Sequence, residues 1–276
     1  MKFDLIPIPE HLREHIECIR TTEYTGNERL AINVCLNGLP GIVFQHHNGN
    51  TPIECISTRS GRSTHIPTVY VYGQMTEPSI MNYRHESFIT TQIVLKPHGL
   101  QTFFGINASI LTNTLVELNA FSSDDLNMQL LEANGDQEHI RLLTNFLSVR
   151  LRQMNVTDTL VQEGLRLIHK NMGMITVKHL LNTLSISERQ FERRFNQTVG
   201  LTPQFYIRVK RFNAAIRLMK KGQFERLGDI VYALNFYDQS HFIRDIKAFS
   251  GITPKFLSQK VTDFHLEQSV FAYLET

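Results

Sequence analysis

Tryptophan is absent from the 276 residues, and cysteine is scarce: Cys18, Cys35 and Cys55 are an odd number without CxxC spacing. Three scattered thiols fit a reducing compartment better than a disulfide framework. No run of 18 or more apolar residues occurs, which argues against a membrane-spanning helix. The opening MKFDLIPIPEHLREH has two prolines and no apolar core, so no signal peptide is expected and the expected location is the cytoplasm. A nucleophile elbow, a phosphate-cradling glycine loop and a zinc-protease motif are all missing, and with them the reason to expect an enzyme or a cofactor.

A strong overall charge is lacking too, but the net +2 hides an asymmetry. Residues 1–155 hold 11 Lys/Arg against 15 Asp/Glu, whereas residues 156–276 hold 17 against 11. Within 175–260 the balance is 15 against 6, or +9. A basic module joined to a mildly acidic one points to a polyanion partner for the C-terminal half. A solvated basic surface is the plainer alternative on charge alone.

The two halves also differ in periodicity. INVCLNG, GIVFQHH, TVYVYGQ and SFITTQIVLKP alternate β-branched and aromatic residues between Asn-Gly, Pro-Gly and Gly punctuation, the pattern of a sandwich or barrel. After about Ile106 the period becomes helical: Leu126, Leu130 and Leu131, then Ile140, Leu143, Phe146 and Leu147. A further helix is expected from Asp158 to Lys170, ended by Asn171-Met172-Gly173. The expected units are 1–155 (strands, then helices), a linker helix region over 156–174, a helical domain over 175–260 and a tail over 261–276.

Within the helical domain a segment is used twice. SERQFERRFNQTVGLTP, Ser187 to Pro203, lies over DQSHFIRDIKAFSGITP, Asp238 to Pro254, 51 residues later. Such a repeat marks one supersecondary unit doing two equivalent jobs. Thr176, Ser187 (with Gln190 as a capping box), Thr202-Pro203, Asp229, Asp238 and Thr253-Pro254 stand where helix caps belong. Each copy is therefore a helix-turn-helix, with Leu180, Leu184, Phe191 and Phe195 inside the first, and Val231, Leu234, Phe242 and Ile246 inside the second. Opposite those core positions lie Arg189, Arg193 and Asn196, flanked by Gln190 and Gln197, and in the second copy Ser240, Arg244 and Lys247, flanked by Gln239 and His241. These side chains suit base edges and phosphates. Phe205, Val209, Phe212, Ile216 and Met219 mark a connecting strut of about 18 residues, or about 27 Å. Its Arg208, Lys210, Arg211, Arg217, Lys220 and Lys221 are expected to serve backbone contacts. Two readers so spaced fit successive major grooves, about 34 Å apart.

On these residues the domain resembles the DNA-binding domain of AraC/XylS-type bacterial transcription regulators. The match is carried by Tyr237-Asp238-Gln239-Ser240-His241-Phe242, Arg244, Gly251-Ile252-Thr253-Pro254-Lys255-Phe256, and Arg211-Phe212 with Ala215 and Leu218 on the strut. It departs from the family at Ser185 and Asn235, where a turn glycine is usual, and at Ile246, where an aromatic is usual. Phe249-Ser250 shifts another aromatic by one residue. The resemblance implies promoter DNA as partner, with RNA polymerase contacts frequent in the family. Leu39 to Phe44, Tyr72 to Pro78, Val94 to Gly99 and Phe103-Phe104-Gly105 resemble the sensor half of some of these regulators. That implies a cupin-like β-barrel followed by helices that often mediate dimerisation, with room for a small-molecule effector. The expected fold is thus multi-domain α+β: a cupin-like N-terminal β-barrel with trailing helices and an all-α double helix-turn-helix domain.

Other groups carry weaker signals. His46-His47, His65, His85 and His98 lack the spacing of a ligand set, so no metal is expected. Tyr70, Tyr72, Phe88, Phe103 and Phe104 are either plain core or the lining of an effector pocket. Asp124-Asp125 and Glu138-His139 sit at apparent helix starts, Asp124 as an N-cap. Two competing functions remain open on the residues alone: a DNA-repair methyl acceptor, which needs a reactive cysteine on zinc, and a ligand-blind protein–protein adaptor with nonspecific DNA binding.

Overall fold

The computed structural model describes residues 2–274 except 27, 47–49, 64, 85, 123, 155, 223, 225, 261–263 and 266–269. His47, His85 and Val261 fall outside the described residues, as does the side chain of Asp124. The alternating N-terminal segments form ten strands: β1 (Lys2–Ile6), β2 (Ile16–Tyr24), β3 (Leu30–Val34), β4 (Gly41–Gln45), β5 (Ile53–Ser57), β6 (Arg62–Ser63), β7 (Val69–Tyr72), β8 (Ser79–Tyr83), β9 (Phe88–Leu95) and β10 (Leu115–Glu117). The tail adds β11 (Phe264–His265) and β12 (Val270–Leu274).

These build two antiparallel sheets, in the orders β1-β2-β9-β4-β7-β10 and β11-β12-β3-β8-β5-β6. The sheets face each other through Tyr24, Ile32, Val43, Ile53, Tyr70, Tyr83 and Phe88. The sheet-rich N-terminal class is as expected. Its closure, however, comes from side chains, because no ladder joins the two sheets among the described residues. The tail, unassigned by its sequence, returns to the N-terminal half, where β12 pairs with β3 from Val270↔Val34 to Leu274↔Leu30.

The outer face of the first sheet is covered by helices α1 (Gly99–Phe104), α2 (Asp124–Glu132) and α3 (Asp136–Met154). Leu126, Leu130, Ile140, Leu143 and Leu147 are buried there as their periodicity requires, but Leu131 is exposed. Glu138 is tied to Arg141 and the Asn134 amide, and His139 packs on Phe44. Both are structural contacts near the start of α3.

The C-terminal helices are α4 (Thr159–Lys170), α5 (Val177–Leu184), α6 (Glu188–Val199), α7 (Pro203–Lys221), α8 (Leu227–Ala233), α9 (Gln239–Ser250) and α10 (Pro254–Lys260). Two cores form on either side of the strut α7. Val161, Leu165 and Ile168 of α4 join Leu180, Phe191 and Phe195 in the first. Phe212, Ile216, Ile230, Leu234, Phe242, Ile246 and Phe249 make the second, together with Cys35 and Leu36 from the N-terminal half.

Candidate nucleic-acid interface

The caps that position both reading helices are mostly local and legible. Thr176 accepts from the His179 amide, Thr202 from Phe205, Asp238 from His241 and Thr253 from Phe256. Pro203 occupies the first turn of α7, where a missing N–H has no partner to lose. Two expectations need correction. Ser187 makes no cap bond; its hydroxyl donates instead to Gln190 Oε1 at 2.9 Å, which replaces the capping box. Asp229 lies within α8, not before it, because its carboxylate accepts from the Arg226 amide and starts the helix earlier.

The turns need left-handed residues. Ser185 (φ 51°) and Asn235 (φ 53°) supply them where glycine would cost less. Beyond the turns, α6 buries Phe191 and Phe195 and α9 buries Phe242 and Ile246. The opposite faces are open: Arg189, Gln190, Arg193, Gln197, Gln239, Ser240, Arg244 and Lys247 are exposed and Asn196 is half-buried. His241 is held inward, with its ring edge-on to Phe236 and Nε2 3.5 Å from Asp245 Oδ2.

Each reading helix is pinned to the helix before its motif by an ion pair. Arg194 of α6 grips Asp158 at the N-cap of α4 through two bonds of 2.7 and 2.8 Å. Burial would raise the Asp158 carboxyl, but Arg194 and the Val161 amide outweigh it and hold it below its ordinary value. Asp245 of α9, only 1% exposed, takes a 2.7 Å bond from Arg208 of α7. Residues 194 and 245 are equivalent in the repeat, so the sign of the pair is inverted between copies.

The strut's other cations do not all face outward. Arg211 donates to the Gly173 carbonyl at 3.0 Å and lies over the Phe236 ring, and burial lowers its pKa. Lys210 is a correction to the expected row of backbone contacts. It sits over Tyr206 and donates to the Asn37 carbonyl in the junction between the two halves, where burial lowers its pKa to about 8.

The N-terminal half holds the C-terminal ends of both reading helices. Thr112 Oγ1 donates to the Gly200 carbonyl at 2.7 Å, just past α6. The Leu36 amide donates to Phe249 O, Asn33 Nδ2 to Ser250 O and Arg59 Nη2 to Lys247 O, all at the last turn of α9. Carbonyls in the last turn of a helix are short of intrahelical partners, so the bonds at Phe249, Ser250 and Gly200 satisfy them, while Lys247 O also accepts the Gly251 amide. Gly38 (φ 74°) lets the chain pass Tyr206, whose ring would lie 2.9 Å from any added Cβ.

A cavity of about 390 Å³ opens between the sheets, and loops next to these contacts wall it: Cys35 to Asn37, Ser60 to Ser63 and Asn113 to Leu115. Arg20 and Gln92 reach into it, joined by an Nε–Oε1 bond of 2.8 Å. The buried Tyr70 hydroxyl has no hydrogen-bond partner among the described residues. Tyr70 and Tyr72 line this space, whereas Phe103 and Phe104 pack in the core beneath the helices and Phe88 between the sheets. Among the described residues no cluster of three metal-ligating side chains exists. His98 instead meets His15 at 3.2 Å.

Neither the inverted ion pairs nor the grip on the helix ends was anticipated. Arg208 and Asp245 stand 37 residues apart, and nothing local marks them as partners. Glu192, with Glu188, adds negative charge beside Arg193 as its sequence implies, whereas the exposed Ile243 beside Arg244 carries no sequence signal of its own.

Residues 180–260 match a family model described as a helix-turn-helix domain, and residues 6–117 match a domain of unknown function (DUF6597). No curated protein matches the sequence significantly. Among solved structures the chain is similar to ToxT from Vibrio cholerae, at 14% identity over 87% of this chain and 97% of that one, with a TM-score of 0.47. ToxT bound to (E)-4-(8-methylnaphthalen-1-yl)but-3-enoic acid gives 14% over 87% and 97%, TM-score 0.48. Unsaturated-fatty-acid-bound ToxT gives 16% over 87% and 94%, TM-score 0.45.

Proposed function

We propose that this chain, which carries an AraC-type helix-turn-helix domain over 180–260, regulates transcription by placing α6 and α9 in successive major grooves of promoter DNA. The observation that carries this reading is the pair of exposed basic stripes, each on a helix whose other face is buried against one shared strut. The strut's 19 residues span about 28 Å, close to the spacing of grooves on one face of the duplex. Arg189, Arg193 and Arg244 suit guanine edges, Asn196, Gln197 and Gln239 suit adenine, and Ser240 and Lys247 suit phosphates. Gln190 and His241 flank the stripes from cap-bound positions. Arg211 acts by holding the strut to the turn at Gly173. Tyr237, 90% exposed ahead of α9, is placed for a phosphate.

The reader unit in this account runs from 156 to 260, because α4 shares the first core, and 1–155 is the sensor. The cavity would take a small, largely apolar effector with one hydrogen-bond acceptor. Burial holds the Tyr70 phenol well above its ordinary value, so it stays a donor, and Arg20 adds a cation. Because the walls include loops that grip both reading helices, occupancy would shift the readers' mutual position. RNA polymerase and a second copy of the chain are further partners of this reading, and the cytoplasm is where it would operate. A methyl acceptor is disfavoured: burial pushes the Cys35 thiol up, away from the thiolate such chemistry needs.

The test is sequence-specific binding by Arg193→Ala combined with Arg244→Ala in the folded full-length chain. Each lost base contact should cost about 1–3 kcal/mol and relax preference at its own base pair. Unchanged affinity and preference would sink the assignment of the two faces.

A further inference from the structure

The exposed stripe on α9 runs Ser240, Ile243, Arg244, Lys247, and that on α6 runs Arg189, Glu192, Arg193, Asn196. Both follow the i, i+3, i+4, i+7 spacing of one helix face. The second position of each stripe is the anomaly. Ile243 is an aliphatic side chain 39% exposed between two cations and a serine. Glu192, its equivalent in the repeat, is an exposed carboxylate among arginines, with no ion-pair partner among the described residues. A stripe that merely held phosphates would gain nothing from either residue. On the other flank Gln190 is engaged by Ser187 and His241 by Asp245. Ile243 and Glu192 stand exposed on the flank away from these bonds.

We infer that these two residues make the paired readers unlike: Ile243 of α9 selects thymine through its 5-methyl group, and Glu192 of α6 selects cytosine by accepting from its exocyclic amine. In the major groove the thymine methyl is the one apolar feature of a base edge, and the cytosine amine is a donor that arginine cannot satisfy. The two half-sites then differ in sequence although the helices that read them are repeats. This rests on the proposed reading of DNA by α6 and α9.

The experiment is selection from a random duplex pool with the full-length chain, with Ile243→Ala and with Glu192→Gln. Both substitutions are at exposed positions, and unchanged thermal melting would verify folding. The selected duplex is then remade with deoxyuridine for the thymine facing α9. The wild-type chain should select thymine in one half-site and cytosine in the other. Loss of the methyl should weaken wild-type binding about fourfold, the worth of one buried methyl-sized group, and leave Ile243→Ala indifferent. Glu192→Gln, whose amide donates as well as accepts, should shift the preference from cytosine toward adenine at that position alone. A selected motif in which uracil costs the wild type nothing would overturn the role of Ile243. A uniform affinity gain by Glu192→Gln, with base preference unchanged, would mean that Glu192 only repels phosphate. A pool that yields no motif at all would overturn the DNA reading itself, and with it this inference.

Discussion

The two helix-turn-helix copies share a backbone plan, a buried phenylalanine and an exposed arginine, but they are fastened by different chemistry. In the first, the reading helix is fastened by an arginine to an upstream aspartate, Arg194 to Asp158; in the second, by an aspartate to an upstream arginine, Asp245 to Arg208. Both copies carry a pair at this point, with its direction reversed. Inversion also keeps the fastenings apart, because Arg194 opposite Arg208, or Asp158 opposite Asp245, would repel. The copies differ again in what the N-terminal half does to them. It bonds the end of the first at Gly200, with Ala108 and Thr112 packed against that glycine, and it contributes Cys35 and Leu36 to the core of the second. Both readers are thus joined to the sensor, the second also through a shared core.

The largest expected effect separates the two fastenings by burial. Arg208→Ala leaves a carboxylate 1% exposed without its main partner, and breaking a buried pair in this way costs about 3–5 kcal/mol. Arg194→Ala should cost about 1 kcal/mol or somewhat more, since both partners keep access to water. Chemical denaturation of the two variants makes the comparison. Equal losses would show that burial does not set the difference.

A second effect addresses the junction that joins the copies to the sensor. The pKa values of His98 and His169 are both lowered to about 4, chiefly by burial, with the His15 ring beside His98 and Lys96, Lys210 and Arg217 as the cations facing them. Both histidines are therefore neutral when buried. Opened to water, each takes up a proton below about pH 6.5, so the open state binds more protons between about pH 6.5 and 4 and stability falls as pH drops through that window. Glu17 is the acidic group opposed to Lys210. Thermal melting at pH 7.5 and pH 5 should show the loss, and His169→Gln should flatten it. A melting temperature constant across the window would contradict the buried, neutral assignment.

The smallest effect compares the turns. Ser185 holds a left-handed conformation without the local tolerance of asparagine, so Ser185→Gly should stabilise by about 1 kcal/mol and Asn235→Gly by a few tenths. The midpoint of denaturant unfolding reads both.

How much of this was legible depended on distance along the chain. Thr176, Thr202 and Asp238 act on amides three residues away, so their caps were visible in the sequence. The repeat was equally visible, because it compares the chain with itself. Ser187 misled because its hydroxyl found Gln190's carbonyl before the backbone. Lys210 misled because a basic row on a strut reads as a DNA-facing row, while the side facing Asn37 is set by a partner more than 170 residues away. The return of the tail to β3 could not be read for the same reason: a strand signal does not name its neighbour. At the candidate interface, the arginines announced themselves by type. Glu192 announced only its negative charge, and Ile243 nothing, because an aliphatic side chain at a helix position reads as core until its exposure is known.

The central claim is that one rigid strut sets two readers a fixed distance apart, and a duplex whose half-sites are moved tests it most directly. Starting from the selected site, about 5 base pairs, half a turn of DNA, are inserted between the half-sites, and affinity is measured for the wild-type chain and for Arg244→Ala. The account predicts that the insertion reduces wild-type affinity to that of a single half-site and leaves Arg244→Ala nearly unaffected. Equal wild-type affinity for the original and the lengthened site would contradict it, since the two helices would then not be reading the duplex together.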